Sequence, residues 1–483
     1  MTYLHTRILK RFNSINGLFL FSVFKYINMG LKVIKMLLIA KYLGPELLGL
    51  WGILFLIQEY LQYTHLGTPY SLNVELSLIE KRDNFNRYIN ASLSFVIILS
   101  FFLGILAIII SLLNINLILN YRLNDFLFYV LFWGLVQVYF VFLKTIYRVQ
   151  QRLFLINISE SIVEMLPLLL LVFGSKFVSI YSLIIFTIIG FGFAVILLQL
   201  KLNINFKLSF DSKLINELIK FGVPLLLSNI FFYLIIQISK TYVSIFYPIK
   251  EMGYFSFSIS LIMASLLGIK ALQWAITPRL INKFYKMQFK NEILRYIQTI
   301  ENVNSIFIFS FVYLVFLLLP LFWKLYPEYI NSNNTILILI LGNVFVIKGL
   351  GYNSLILAKK KQNKLIFAGA KSFILVLFFG IMVTKYLKAK IDILAIIIMI
   401  SYILYYYSLV GIVNKIIEKD KTTTFRNAML KNLTEFIPII ILLAAIYFIE
   451  FYYYLTAFSL IFYIVFNLSV LNNLIKHFRM NYL

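Results

Sequence analysis

The chain has 483 residues, 61% hydrophobic and only 13% charged, with a mean hydropathy of +0.90. A soluble globular domain carries about 25% charged residues, so this composition excludes one. The net charge of +25 does not point to nucleic acid, because the basic residues sit in short breaks between apolar runs rather than on one polar face. No cysteine is present, which removes disulfides, thiolate metal sites and cysteine nucleophiles. The three histidines, His5, His65 and His477, are too scattered to share a metal, so neither a metal nor a cofactor is expected.

Apolar runs of about 20 residues, long enough to cross a hydrocarbon core of about 30 Å as helix, recur from end to end. They predict an all-α polytopic membrane protein with about fourteen spans. The spans fall at 16–40, 46–66, 88–113, 125–147, 153–174, 177–200, 219–244, 252–277, 298–322, 333–357, 365–386, 391–413, 433–453 and 455–475. The first run holds Lys25, Lys32 and Lys35 and lacks a small-residue cleavage site, which reads as a retained span rather than a signal peptide. With the N-terminus inside, and basic residues near a span end counted with the adjoining segment, cytoplasmic segments carry 29 Lys and Arg against 8 outside, and the remaining 7 of the 44 lie deeper within spans. The positive-inside rule then predicts a multi-pass protein of the bacterial inner membrane with both termini in the cytoplasm. The loop with Lys385, Lys388 and Lys390 is the local exception. Every loop is short, leaving no room for a catalytic domain, so no enzyme activity is expected. The abundance of Lys, Ile, Asn, Phe and Tyr resembles that of an AT-rich genome, so placement rather than number has to decide what the lysines do.

At an offset of 204 residues Tyr42, Gly49, Leu50 and Trp51 pair with Phe246, Gly253, Tyr254 and Phe255, and the span at 18–40 falls on 222–244. The first six spans and the next six therefore read as copies. An even span count keeps their orientation the same, which implies an axis along the membrane normal and a cavity between them. The resulting division is a first six-helix lobe at 1–200, an amphipathic cytoplasmic linker at 201–218, a second lobe at 219–413 and two additional helices at 414–483. Asp211 is expected to cap the linker helix, with Leu214, Ile215, Leu218 and Ile219 on one face. Pro224, Pro278 and Pro320 are candidate bends, and GFG at 190–192 a close helix contact.

KYLGPELLGLWGILFLIQEYLQYTHLG at 41–67 resembles the first-hairpin pattern of the polysaccharide-transporter (Wzx-type) flippases. LIKFGVPLLLSNIFFYLIIQISK at 218–240 is similar to the start of their second half. MGYFSFSISLI at 252–262 and WAITPRL at 274–280 resemble their eighth span and its exit. These motifs mark the multidrug/oligosaccharidyl-lipid/polysaccharide exporter superfamily more than a substrate. WKLYPEY at 323–329 departs from the pattern by lacking a frequent glycine. The resemblance implies two six-helix lobes in a V around a central cationic cavity opened by alternating access, plus two C-terminal helices.

The seven lysines within spans are Lys25, Lys32, Lys35, Lys240, Lys270, Lys348 and Lys371. A lysine at a helix centre costs roughly 2.5–3.5 kcal/mol on insertion scales. Three in the first span cost about 9 kcal/mol, whereas the thirteen Leu, Ile, Phe and Val residues from Leu18 to Ile39 offset only about 6. At 100° per residue Lys25, Asn28, Lys32 and Lys35 form one stripe about 80° wide, which must face protein or water. Lys240 falls one residue from Lys35 under the repeat offset. Lys25, Lys32, Lys35, Lys240 and Lys270 are thus the candidate substrate-binding cations. The resemblance implies cavity cations on the first and eighth spans, which here carry Lys25, Lys32 and Lys270. The opposing structural reading is snorkelling, or ion pairs with buried carboxylates. The acidic candidates within spans are Glu59, Glu160, Glu164 and Glu450. Glu160 and Glu164, four apart on one face, are candidates for carrying a proton between states or for pairing with the first-span lysines, and Glu59 is a third.

The function these readings imply is translocation of undecaprenyl-pyrophosphate-linked oligosaccharide repeats, of O-antigen, capsule or exopolysaccharide, to the outer leaflet. Proton coupling would suit the glutamates. The expected partners are the lipid-linked oligosaccharide, membrane lipids, and the glycan polymerase and chain-length machinery, with no nucleic acid. The rivals are a multidrug or cation exporter, or a peptidoglycan-precursor flippase, on the same scaffold. A membrane glycan polymerase is disfavoured by the short outer loops.

Overall fold

The computed structural model describes residues 15–78, 82–112, 123–150, 152–202 and 207–417, with single positions at 432, 435, 437, 456, 459–461 and 463. Among the described residues every regular element is helical. In chain order the α-helices are α1 (Ile15–Gln62), α2 (Thr68–Leu78), α3 (Arg82–Leu112), α4 (Asn124–Val149), α5 (Leu153–Phe173), α6 (Ile180–Lys201) and α7 (Ser212–Phe246). They continue with α8 (Ile249–Ser265), α9 (Leu267–Lys286), α10 (Lys290–Leu325), α11 (Asn333–Lys348), α12 (Leu350–Ala358), α13 (Gln362–Ile381) and α14 (Ile391–Ile417).

The twelve predicted spans up to residue 413 all fall on these helices. The two at 433–453 and 455–475 lie outside the described residues apart from the single positions, as does Glu450. Nine helical runs among the described residues are long and apolar enough to cross a membrane, or ten with the bent run in α7. That tally differs from fourteen partly because it joins neighbouring spans. As a straight helix the 48 residues of α1 would run about 70 Å, more than twice a hydrocarbon core. The run is broken at Gly44, whose φ of 67° a glycine adopts without Cβ strain, and Pro45 follows. The break lies between the predicted spans 16–40 and 46–66. Similarly, the predicted span 252–277 is divided at Leu266 between α8 and α9, and 333–357 at Gly349 between α11 and α12.

The chain divides into two units, one of residues 1–233 with 240–264, the other of 234–239 with 265–483. Within lipid, burying apolar side chains gains little, so helices are held by close packing and polar contacts. In the first unit α2 to α6 share a core of Leu76, Leu93, Trp133, Phe142, Tyr147 and Leu198. The Tyr147 hydroxyl donates to the Leu198 carbonyl at 2.7 Å. Gly190 of the GFG motif lets α6 approach α5, since a Cβ there would lie 3.2 Å from the Val163 backbone. Arg87 at the start of α3 pairs with Asp211 at 2.6 Å, and Asp211 caps α7 by accepting from the Leu214 amide. Arg87 and the capped amide both favour the ionised form, which holds the Asp211 carboxyl below the usual range.

The tightest contact in this unit joins the second half of α1 to α8. A Cβ on Gly49 would run into the Ile249 carbonyl, and one on Gly253 into the Pro45 carbonyl. The Gly49 site lies 3.1 Å from the Gly253 nitrogen, and the Gly253 site 3.2 Å from the Gly49 nitrogen. One turn on, Gly52 faces Ser256. Each partner is the other's equivalent under the offset of 204, so the crossing is reciprocal, as a two-fold contact is. The second unit has its core between α9, the start of α10, α12 and α14, around Phe284, Ile297, Leu355, Ile356, Tyr406 and Leu409.

Candidate functional site

The polar stripe of α1 meets a matching stripe on α5. Asn157, Glu160, Ser161 and Glu164 recur at helical spacing, so they share one face. Phe24 packs edge-on to Phe154 at 5.5 Å. Further along, Lys25 Nζ donates to Glu160 at 2.7 Å and Asn28 Nδ2 donates to the Asn157 carbonyl at 3.0 Å. Ser161 Oγ donates to Asn28 Oδ1 at 2.5 Å. Lys35 donates to Glu164, and Lys32 lies 3.6 Å from the other oxygen of the same carboxylate. Phe24 meets Phe154 at one end of the contact and Lys35 meets Glu164 at the other, so α1 and α5 run the same way, as segments four spans apart must.

Lys144 of α4 completes the group, 2.6 Å from Glu160 and 5.3 Å from the centroid of the Phe140 ring. It lies three residues from the end of the predicted span 125–147 and sequence reasoning did not single it out; its spacing of four from Arg148 was the available signal. Four ammonium groups therefore share two carboxylates. The lysine side chains keep 34%, 52%, 20% and 30% of their exposure at Lys25, Lys32, Lys35 and Lys144, against 12% and 9% at Glu160 and Glu164. The seam thus presents cations outward and keeps its anions beneath them. Among these six groups the ammoniums outnumber the carboxylates by two.

The other candidate cations differ. Lys240 in α7 pairs with Glu59 of α1 at 3.0 Å, with Phe55 5.6 Å away, so that charge is matched one for one. Beside it Tyr60 and Thr241 share a hydrogen bond of 2.9 Å. Lys270 lies in α9, with its side chain outside the described residues, and Lys371 is exposed on α13.

Lys348 heads a second cluster, in the other unit. It lies wholly buried, 2.5 Å from Glu435 and 3.9 Å from Glu301, donates to Asn432, and sits 5.9 Å from the Phe309 ring. Tyr406 and Tyr352 donate to the two oxygens of Glu301 at 2.7 and 2.9 Å. A carboxylate that accepts on both oxygens is fixed in orientation by its donors. Sequence reasoning overlooked Glu301, which sits in the first turn of its predicted span.

No family model matches the chain, and no curated protein matches its sequence. Solved structures do share its fold. A lipid II flippase MurJ in an inward closed conformation gives a TM-score of 0.71 over 95% of this chain and 100% of that one, at 16% identity. An inward-facing multidrug resistance MATE family transporter of the MOP superfamily gives 0.63 over 80% and 95%, at 12% identity. The MATE multidrug transporter DinF-BH gives 0.59 over 84% and 96%, at 14% identity. The chain is therefore a multi-pass helical protein with the fold shared by MurJ-type flippases and MATE-type exporters.

Proposed function

We propose that the protein is a flippase that moves undecaprenyl-pyrophosphate-linked oligosaccharide repeat units from the cytoplasmic to the outer leaflet by alternating access, making and breaking no bond. The observation that carries this reading is the seam of Lys25, Lys32, Lys35 and Lys144 over only two glutamates. Ammonium groups in a partly dehydrated site attract a diphosphate far more strongly than they would in water. The transporter fold and the motifs at 41–67 and 218–240 are consistent with it. Basic residues concentrated in alternate loops favour cytoplasmic termini in the bacterial inner membrane. Glu59, Glu160 and Glu164 each face a lysine, so a coupling proton would compete with an ammonium for its carboxylate.

The fold likeness to a lipid II flippase along 95% of the chain favours a second reading, a lipid-linked peptidoglycan precursor as cargo. A multidrug or cation exporter would want carboxylates in excess at its cavity, the reverse of the seam. Deleting the gene separates the first two readings by which lipid-linked sugar accumulates on the inner leaflet. Restoring the Lys25→Ala, Lys32→Ala double variant tests the site: export should fall at least tenfold at normal protein level, and intact export rejects the cationic seam as the binding site.

A further inference from the structure

Resting on that reading, we propose that Glu160 and Glu164 stand in for the cargo's two phosphates, and that the seam is tuned by charge count to a lipid diphosphate diester carrying two negative charges. Between them the four lysines hold these two carboxylates through four ion pairs, two to each. Among the described residues no other charged group lies within ion-pair distance of the six. These six described groups therefore sum to +2 when empty. A diphosphate bonded to a lipid at one end and a sugar at the other keeps one ionised oxygen on each phosphorus and is −2 at neutral pH, so the loaded seam is neutral. Low-dielectric surroundings penalise net charge steeply, which makes the neutral assembly the one that can be closed off from water. A sugar joined through a single phosphate diester leaves +1, and a lipid without phosphate leaves +2.

The empty state needs the carboxylates for the same reason. Four ammoniums with no anion would repel one another and face an uncompensated burial cost, so the glutamates hold them in place until cargo arrives. The geometry suits exchange. The glutamates lie beneath, while the lysine side chains stay partly open, Lys32 most of all and with the longest of the four pairs, 3.6 Å. Lys32 is thus positioned to meet a phosphate first, and because Lys25 and Lys144 share Glu160, one of them can turn to the cargo while the other keeps that carboxylate paired.

The test measures binding of two probes to the purified full-length chain in nanodiscs of zwitterionic lipid: a short-chain prenyl diphosphosugar and the matching prenyl monophosphosugar. The expected results are a preference for the diphosphate of at least tenfold, little competition from phosphatidylglycerol, and tighter diphosphate binding with slower transport in Glu164→Gln. The Lys35→Gln, Glu164→Gln double variant restores the count of +2 and is expected to regain the wild-type preference, which a purely structural ion pair would not give. Equal binding of the two probes by the unaltered protein overturns the charge match without any variant having to fold. So does displacement by phosphatidylglycerol at similar concentration. Weaker diphosphate binding in Glu164→Gln, to the extent seen in Lys35→Gln, overturns the stand-in role while leaving the functional reading intact. Failure of the unaltered protein to bind either probe removes the functional reading and the inference with it.

Discussion

The seam of the first unit and the cluster of the second combine lysine and glutamate in opposite proportions. Around Lys348 two carboxylates and an asparagine oxygen converge on one ammonium that has no exposed surface, with two tyrosines fixing Glu301 from behind. In the seam four ammoniums divide two carboxylates and remain between a fifth and a half exposed. A buried cation surrounded by acceptors is a pin: its removal leaves anions without a counter-charge, and nothing outside can reach it. Cations in excess and within reach of the surroundings are a surface waiting for an anion. Counting which sign is left over, and which sign is accessible, separates the two roles where residue type alone does not.

That contrast can be broken from either side. Lys348→Met should cost about 3–5 kcal/mol, the penalty of orphaning a buried partner, and appear as the largest fall in thermal midpoint of the detergent-solubilised protein. Gly253→Ala asks whether backbone contact rather than ion pairing holds the first unit. Overpacking of this kind costs typically about 1–3 kcal/mol, whereas Gly104→Ala, with open space around it, should be neutral or mildly stabilising. Lys32→Ala should change stability by less than about 1 kcal/mol, in line with an exposed, long pair, while lowering transport severalfold. Were it to unfold the protein as Lys348→Met does, the seam would be a pin as well. The smallest effect concerns Asp211. Because its folded carboxyl is held below its ordinary value of 3.8, its stabilising contribution is present above that value and lost as the pH falls through the folded one. Thermal midpoints between pH 6 and pH 3 should therefore decline slightly less steeply for Asp211→Asn than for the unaltered chain.

Much of this arrangement is legible in the amino-acid sequence. Apolar runs located twelve spans that fall on helices, because length and hydropathy are what a bilayer reads. The 80° stripe on the first span required a polar neighbour, and α5 supplies it. The 204-residue offset, found from a handful of aromatic and glycine pairs, reappears as the reciprocal approach of Gly49 and Gly253. Partner choice was not legible. Which lysine meets which carboxylate depends on helix rotation and on which helices touch, so Lys144 joined the seam unannounced and Lys240 went to Glu59. Glu301 was hidden by position, since a carboxylate in the first turn of a span reads as interfacial. Tyr352 and Tyr406 were hidden by number, two among 33 tyrosines in a chain where rings serve chiefly as packing and belts.

The crossing of α1 with α8 also constrains how the chain can vary. Where backbone touches backbone with no side chain between, neither helix has a substitution that the other can absorb by changing rotamer. Two positions 204 residues apart are thus bound to the same smallest residue. A surface that fits its own counterpart is also the kind that pairs identical subunits, so this stretch carries inside one polypeptide the geometry of a homodimer's interface.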